Sequence, residues 1–475
     1  MNATIFAVIV YFLTLLSIGF ISKKRQSTSA DYILGNRSLN FLLTAFAAHA
    51  SDASTWLFMG LPALIFATGL FNTWTAIGLV IFMFLNWHFI APRIRYATEK
   101  YNSLTFSSFF ESRFADTSGV IRILTALMLL AFYAFYISAG VVGLGLLLQS
   151  ITGLSYAVSA LIGLSVIIPY LCAGGFTTLA WTDSFQGIFL LLVILIVPLY
   201  ALSFAGGFPG INEALIRANI STQLIPNLQP STLLSIFFAL TSMGLGYFGQ
   251  PHIVTKFMGI KDVKQMHKAK YVGISWQILT FAGAILIGLE GVALFEHLHD
   301  SELVFVQATR MLFSPFLAGL MLCAVLAATI STLDSQILVL ASSLTEDCYR
   351  RIWRKSATPK ELVIASRSFV VLIAISAYAI AIMRLSTIYG LVLYAWSGLG
   401  TAFGPTLIAA LFSKRVNKYG AIAGIASGGI VALFWPLLHS QVPTLLIGFI
   451  VSFAFLFGVS LLTKRVHHHE DIDYQ

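Results

Sequence analysis

Charge is what this sequence has least of. Only 10% of its 475 residues are Asp, Glu, Lys or Arg, while 58% are hydrophobic. A soluble domain carries about a quarter charged residues, so the composition excludes one and reads as an integral membrane protein. Long polar tracts are also nearly missing. Apolar runs long enough to span a bilayer recur along the whole chain, which predicts one transmembrane domain over 1–475 and no soluble module. Cysteine is scarce: Cys172, Cys323 and Cys348 fall in or beside apolar runs and make no disulfide framework. No nucleophile–base pair or metal-ligating cluster stands out, which argues against an enzyme. No basic residue precedes the first apolar run, and Lys23-Lys24-Arg25 follows it. That is the reverse of a signal peptide, so the run is read as a retained helix.

What charge there is lies in short loops, which turns a net +9 away from nucleic acid. Apolar runs against turn signals give about thirteen spans. These are 4–22, 41–70, 73–92, 119–149, 155–173, 183–206, 231–256, 271–295, 313–347, 361–383, 387–412, 420–438 and 444–463, with a polar loop at 208–230. Alternate loops then hold 25 of the 28 Lys and Arg, Lys256 among them, and the other loops only Arg217, Arg310 and Arg384. Basic loops mark the cytoplasmic side. The N-terminus is expected outside, the C-terminus inside.

Two spans are wrong for ordinary helices. In the second, Ala50-Ser51-Asp52-Ala53-Ser54 puts an aspartate at mid-depth, with Gly60 and Pro62 just beyond. An ionisable group there costs several kcal/mol unless it faces protein, water or an ion, and backbone unwinds at that depth only where it lines a cavity. In the other, Met243 to Pro251 holds three glycines and a proline within nine residues, which regular helix does not accommodate. Setting the first helix aside, the interruptions fall in the first and sixth of ten core spans. That is the pattern of an inverted five-plus-five repeat, about 41–206 and 231–412, with a site at the repeat interface.

A third stretch runs from Ala327 to Ser335. On a helix, Ala328, Ser331, Thr332 and Ser335 share one face, with Asp334 adjoining. Oxygen-only ligands suit a hard cation; with so few charges, sodium is the natural choice, protons the alternative.

In these stretches the chain resembles the sodium/solute symporter family, and within it the bacterial sodium/proline symporters. The matching residues are Ala50-Ser51-Asp52 with Met59-Gly60-Leu61-Pro62, Trp181-Thr182-Asp183, Gly244 through His252, Ser331-Thr332-Leu333 with Thr345-Glu346-Asp347, and Tyr394-Ala395-Trp396. The resemblance implies an all-α, LeuT-like fold with one helix before the ten and two after. It implies a sodium site of Ala50, Ala53 and Ala328 backbone oxygens with the Ser331 and Thr332 hydroxyls. It gives Asp52 and Asp183 roles in ion coupling, and implies a solute cavity involving Ser54, Trp56, Tyr136, Tyr247, Pro251, Tyr394 and Trp396. The chain departs from the proline symporters at Met243, where they carry tryptophan beside the solute, at Ile137 for cysteine, and at Asp334 for serine. The expected function is sodium-coupled import of a small amino acid, L-proline first, through a bacterial cytoplasmic membrane by alternating access. Another amino acid or a carboxylate, and a transporter-like nutrient sensor, are the alternatives. The family's sensors carry a fused signalling domain, whereas this chain stops shortly after its last span.

Asp334, with Ser335, completes the expected ion set. Two carboxylates, Asp183 and Asp334, at membrane depth cannot both stay charged and unpaired, so their site is expected to hold a second cation or a proton. Elsewhere the plain readings prevail. His49 is expected to be packed or solvated, Glu290 wet near the outer end of its helix, and His467-His468-His469 a solvated tail.

Overall fold

The computed structural model describes residues 3–22 and 28–463. Lys23, Lys24, Arg25, Lys464, Arg465 and the histidine tail lie outside them. Among the described residues, twelve helices are long and apolar enough to cross a membrane, and a thirteenth apolar helix is shorter. In chain order the elements are α1 (Ala3–Ile21), α2 (Phe41–Thr68, interrupted), α3 (Leu70–Lys100), α4 (Val120–Thr152), α5 (Tyr156–Ala173) and α6 (Phe176–Phe204). Then follow α7 (Pro230–Gly249), α8 (Pro251–Met258), α9 (Met266–Leu294), α10 (Pro315–Ser343), α11 (Pro359–Ile382), α12 (Ile388–Phe412), α13 (Lys418–Phe434) and α14 (Thr444–Leu462). The helices start where the sequence caps them. Thr358, Thr387 and Asn417 side chains accept the backbone N–H groups of Glu361, Gly390 and Gly420, and proline opens α7, α8, α10 and α11. Each satisfies or removes an orphan N–H at a helix start.

Counting α7 and α8 as one broken helix, α2 to α12 make ten spans, and the two broken helices are the first and sixth of them. At the end rich in Lys and Arg, the two broken helices are tied together. The Leu39 N–H donates to Gly259 O at 3.2 Å and the Lys261 N–H to Leu39 O at 2.8 Å. The Arg37 guanidinium donates to Met258 O at 3.1 Å and to Thr98 O at 2.9 Å; Arg95 Nε donates to Ile260 O at 2.6 Å. At the opposite end the Leu70 N–H reaches Ser221 O at 3.0 Å, and the Trp74 indole reaches Leu224 O at 2.8 Å.

Four expectations change. The 208–230 stretch contains a helix, Gly207–Arg217, whose apolar side covers α9. α6 begins at Phe176, before the expected 183, because Thr182 and Ser184 return their hydroxyls to carbonyls one turn back and need no water. Lys256 is not a loop residue: it lies in α8, 2% exposed. Glu290 is not wet but fully buried, with no hydrogen-bond partner on either carboxyl oxygen among the described residues. A buried polar group without partners costs about 1–3 kcal/mol. Glu290→Met is therefore expected to insert normally and raise the midpoint of thermal unfolding in detergent. A midpoint several degrees lower would show that the carboxyl is stabilising.

Candidate ion and solute site

The first half of α2 runs to Thr55, started by the Asn40 side chain accepting the Leu43 N–H. It breaks at Ser54, whose φ of 47° lies in the left-handed region. Such a conformation costs a non-glycine residue about 1–3 kcal/mol and persists only where the surroundings enforce it. Here they do. The Ser54 N–H donates to Thr332 Oγ1 on α10 at 3.0 Å, Ser54 Oγ accepts the Trp56 N–H at 3.1 Å, and the Thr55 and Thr329 hydroxyls meet at 2.9 Å. A π-helical turn, Trp56–Gly60, then resumes the helix.

The break gathers oxygens. Ser331 Oγ lies 2.8 Å from Ala50 O, 2.9 Å from Ala327 O and 3.2 Å from Ala328 O, and Thr332 Oγ1 lies 3.1 Å from Ala328 O. Ala53 O, at the same break, accepts the Trp56 N–H. One hydroxyl proton on Ser331 cannot serve three carbonyls. The oxygens outnumber the protons between them, and no nitrogen or sulfur ligand takes part. A small hard cation is the species such a set accommodates.

Next to these oxygens is a cavity of about 300 Å³ walled by Asp52, Ala53 and Ser54 with Trp56, Leu79, Tyr136, Met243, Gln277, Phe281, Val392 and Trp396. Asp52 is half-buried on its wall. The far wall is the α7–α8 break. Leu245–Gly249 forms a 3₁₀ turn and Gln250 is extended. The freed backbone is held by side chains: Gln250 Nε2 donates to Gly246 O at 3.0 Å and Trp396 O at 3.1 Å, Asn86 Nδ2 to Tyr247 O at 2.6 Å, and the Trp396 indole to Met243 O at 2.7 Å. Gly246 is needed here because a Cβ would fall 2.2 Å from Trp396 Nε1.

Of the expected solute residues, Ser54, Trp56, Tyr136, Met243 and Trp396 share the cavity. Three stand outside its lining. Tyr247 is buried against Trp396, with ring centroids 6.1 Å apart; Pro251 opens α8; Tyr394 turns away, its ring packed on Phe132 and Phe135. Four wall residues escaped the sequence reading, Leu79, Gln277, Phe281 and Val392, and of these only Gln277 is polar. Gln277 is fully buried, its Oε1 is 3.1 Å from His49 Nδ1, and its NH₂ has no partner among the described residues. That bond puts the proton on Nδ1 of His49, which is stacked on Trp87, and presents the amide NH₂ as a spare donor. The Trp56 indole N–H is a second spare donor. The one available signal was a glutamine in the middle of an apolar helix.

The other expected ion residues form a separate cluster, one turn along α10. Asp183 Oδ2 accepts Lys256 Nζ at 2.7 Å. Ser335 Oγ is 3.5 Å from Asp183 Oδ2 and 3.4 Å from Asp334 Oδ1, and the Tyr170 hydroxyl donates to Asp334 Oδ2 at 3.0 Å. Both aspartates are fully buried. Asp183 therefore meets not a free ion but the ammonium of Lys256, a partner the loop assignment had placed in water. Two acids share one lysine, so with both ionised the cluster is one positive charge short.

Comparison with known proteins agrees with the fold and the motifs. The sodium:solute symporter family profile matches residues 32–428. The high-affinity proline transporter PutP of Bacillus subtilis is 40% identical over 461 residues, covering 95% of this chain and 96% of the relative. The sodium/proline symporter of Salmonella typhimurium is 37% identical over 436 residues, covering 90% and 86%. Among solved structures, a Na⁺-coupled sialic acid symporter in a substrate-bound outward-open state superposes with a TM-score of 0.82 at 18% identity, covering 98% of both chains. MhsT in complex with L-phenylalanine gives 0.60 at 14% identity, covering 88% of this chain and 98% of that one.

Proposed function

The chain belongs to the sodium:solute symporter family, a family of transporters rather than enzymes, and on that premise we propose that it imports L-proline with sodium across a bacterial inner membrane. The end rich in Lys and Arg faces the cytoplasm, with the N-terminus outside. The observation that carries this reading is the set of oxygens from Ala50, Ala328, Ser331 and Thr332 closing on the α2 break, beside a cavity of about 300 Å³. Sodium held between α2 and α10, with Ala53 O completing the set, fixes the break, and the fixed break completes one wall of the solute site. Asp52 offers the charge for an amino or imino group, the Gln277 and Trp56 N–H groups suit a carboxylate, and Met243, Leu79, Val392 and Phe281 suit an apolar ring. Tyr247, Pro251 and Tyr394 act from behind that wall. The core repeats, about 41–206 and 231–412, move against each other to open the site to one face at a time.

One charge falling through 100 mV releases about 2.3 kcal/mol and a tenfold sodium gradient about 1.4 kcal/mol. Together they sustain several-hundredfold accumulation per sodium. Proteoliposomes given sodium or proton gradients test this: labelled proline should accumulate with the first and not the second. Unlabelled amino acids and carboxylates should compete less well than proline. A better competitor replaces proline as the solute without changing the coupling.

Two variants examine parts of the site. Met243→Trp puts a rigid ring on the cavity wall in place of a flexible thioether and should change the proline KM at least threefold; an unchanged KM removes Met243 from the wall. Asp334→Ser relieves the charge shortage at Lys256. It should change the sodium Hill coefficient or the pH dependence of uptake while leaving the Ser331 oxygens working. Wild-type values of both would remove Asp334 and Ser335 from ion coupling.

A further inference from the structure

A second cavity lies toward the cytoplasmic end and shares no lining residue with the first. It is bounded by α8, by the part of α10 beyond Ser335 and by Phe176 at the start of α6. Ser342 on its wall is eleven residues past Ser331, ~16 Å along the helix. Most of the lining is apolar, Leu129, Leu338 and Phe176 among it, but three polar groups face in without a full set of partners. The Tyr133 hydroxyl accepts the His252 backbone N–H at 3.0 Å and lies 3.1 Å from His252 Nδ1. With the Tyr133 proton donated to Nδ1, the ring proton is on Nε2 and is a donor toward the cavity. His252 is fully buried and Nε2 has no partner among the described residues. One turn on, Lys256 has spent one N–H on Asp183. Across the cavity, Ser342 is 3% exposed and its hydroxyl has no partner among the described residues.

Buried donors without partners are costly. Two of them, with an ammonium, around an apolar space match a carboxylate on a small apolar body. We infer that this cavity is an inner station for the transported amino acid, taking its carboxylate on His252 Nε2 and Lys256 Nζ and its apolar part against Phe176 and Leu338 before release. The inference rests on the solute being a small amino acid. It also joins solute exit to the ion cluster. A third carboxylate on Lys256 deepens the charge shortage already set by Asp183 and Asp334, so the station fills together with a proton or a further cation at that cluster.

Proteoliposomes loaded with labelled proline on one side at a time give half-saturating concentrations for the cytoplasmic and external faces. In Ser342→Ala the ratio of cytoplasmic to external value should rise at least threefold. In Ser342→Cys, compared with the wild-type cysteines as control, thiol modification from the cytoplasmic face should slow at least threefold with saturating proline and sodium. An unmoved ratio, or modification that proline does not slow, overturns the station while leaving import intact. A wild-type protein that shows no sodium-dependent proline movement overturns the amino-acid reading instead.

Discussion

Ser331→Ala is expected to raise the sodium concentration for half-maximal uptake at least tenfold, with the amount of protein in the membrane unchanged. The hydroxyl lies 2.8 Å from Ala50 O and 3.2 Å from Ala328 O, so its removal takes one oxygen from the set and leaves the carbonyls facing each other across a gap. An interaction with a charged group is worth about 1.5–3 kcal/mol, which is about tenfold to 150-fold in affinity. Thr332→Ala should have a compound effect. Its oxygen also accepts the Ser54 N–H, the bond that helps hold Ser54 at a positive φ, so proline KM should rise together with the sodium requirement. In Ser331→Ala the shift should lie mainly in sodium. Uptake with ordinary sodium dependence in both variants would remove this face of α10 from the ion site.

The second large effect is on stability. Lys256→Met leaves Asp183 fully buried without its ammonium. Breaking a buried ion pair from one side costs about 3–5 kcal/mol. The midpoint of thermal unfolding in detergent should fall by at least roughly 5 °C. Because the penalty belongs to the stranded charge rather than to a lost attraction, Lys256→Met with Asp183→Asn should recover at least half of the loss. Asp183→Asn alone should be milder, because Lys256 keeps a carboxylate nearby in Asp334 and rests 5.3 Å from the Phe176 ring centroid. A double variant as unstable as the sum of the singles would mean that the two side chains act independently.

The broken helices and the oxygen face could be read from sequence because both are local. Glycine, proline and hydroxyl residues inside an apolar run disturb a helix wherever it packs, and the three- and four-residue spacing around Ser331 fixes one face before any partner is known. Which oxygens would meet across α2 and α10 came from resemblance; the structure brings Ser331 Oγ to Ala50 O and Thr332 Oγ1 to the Ser54 N–H. Lys256 was misplaced because a lysine at the end of an apolar run is normally in water, and nothing local reveals an aspartate 73 positions away. The same holds for Gln277, oriented by a histidine 228 positions away. Glu290 was misread for another reason: closeness to a helix end is a poor measure of exposure when a neighbouring helix covers that end. Tyr394 shows the limit of resemblance, which carries over a residue type but not the side its ring faces.

The bonds at the basic end have a mechanical consequence. Leu39, just before the first broken helix, is stitched to Gly259 and Lys261, just after the second, and Arg37 and Arg95 clamp the same turn. At this basic end the arms of two helices some two hundred residues apart are thereby one lever with a common fulcrum. A tilt of either arm strains these bonds unless the other arm follows.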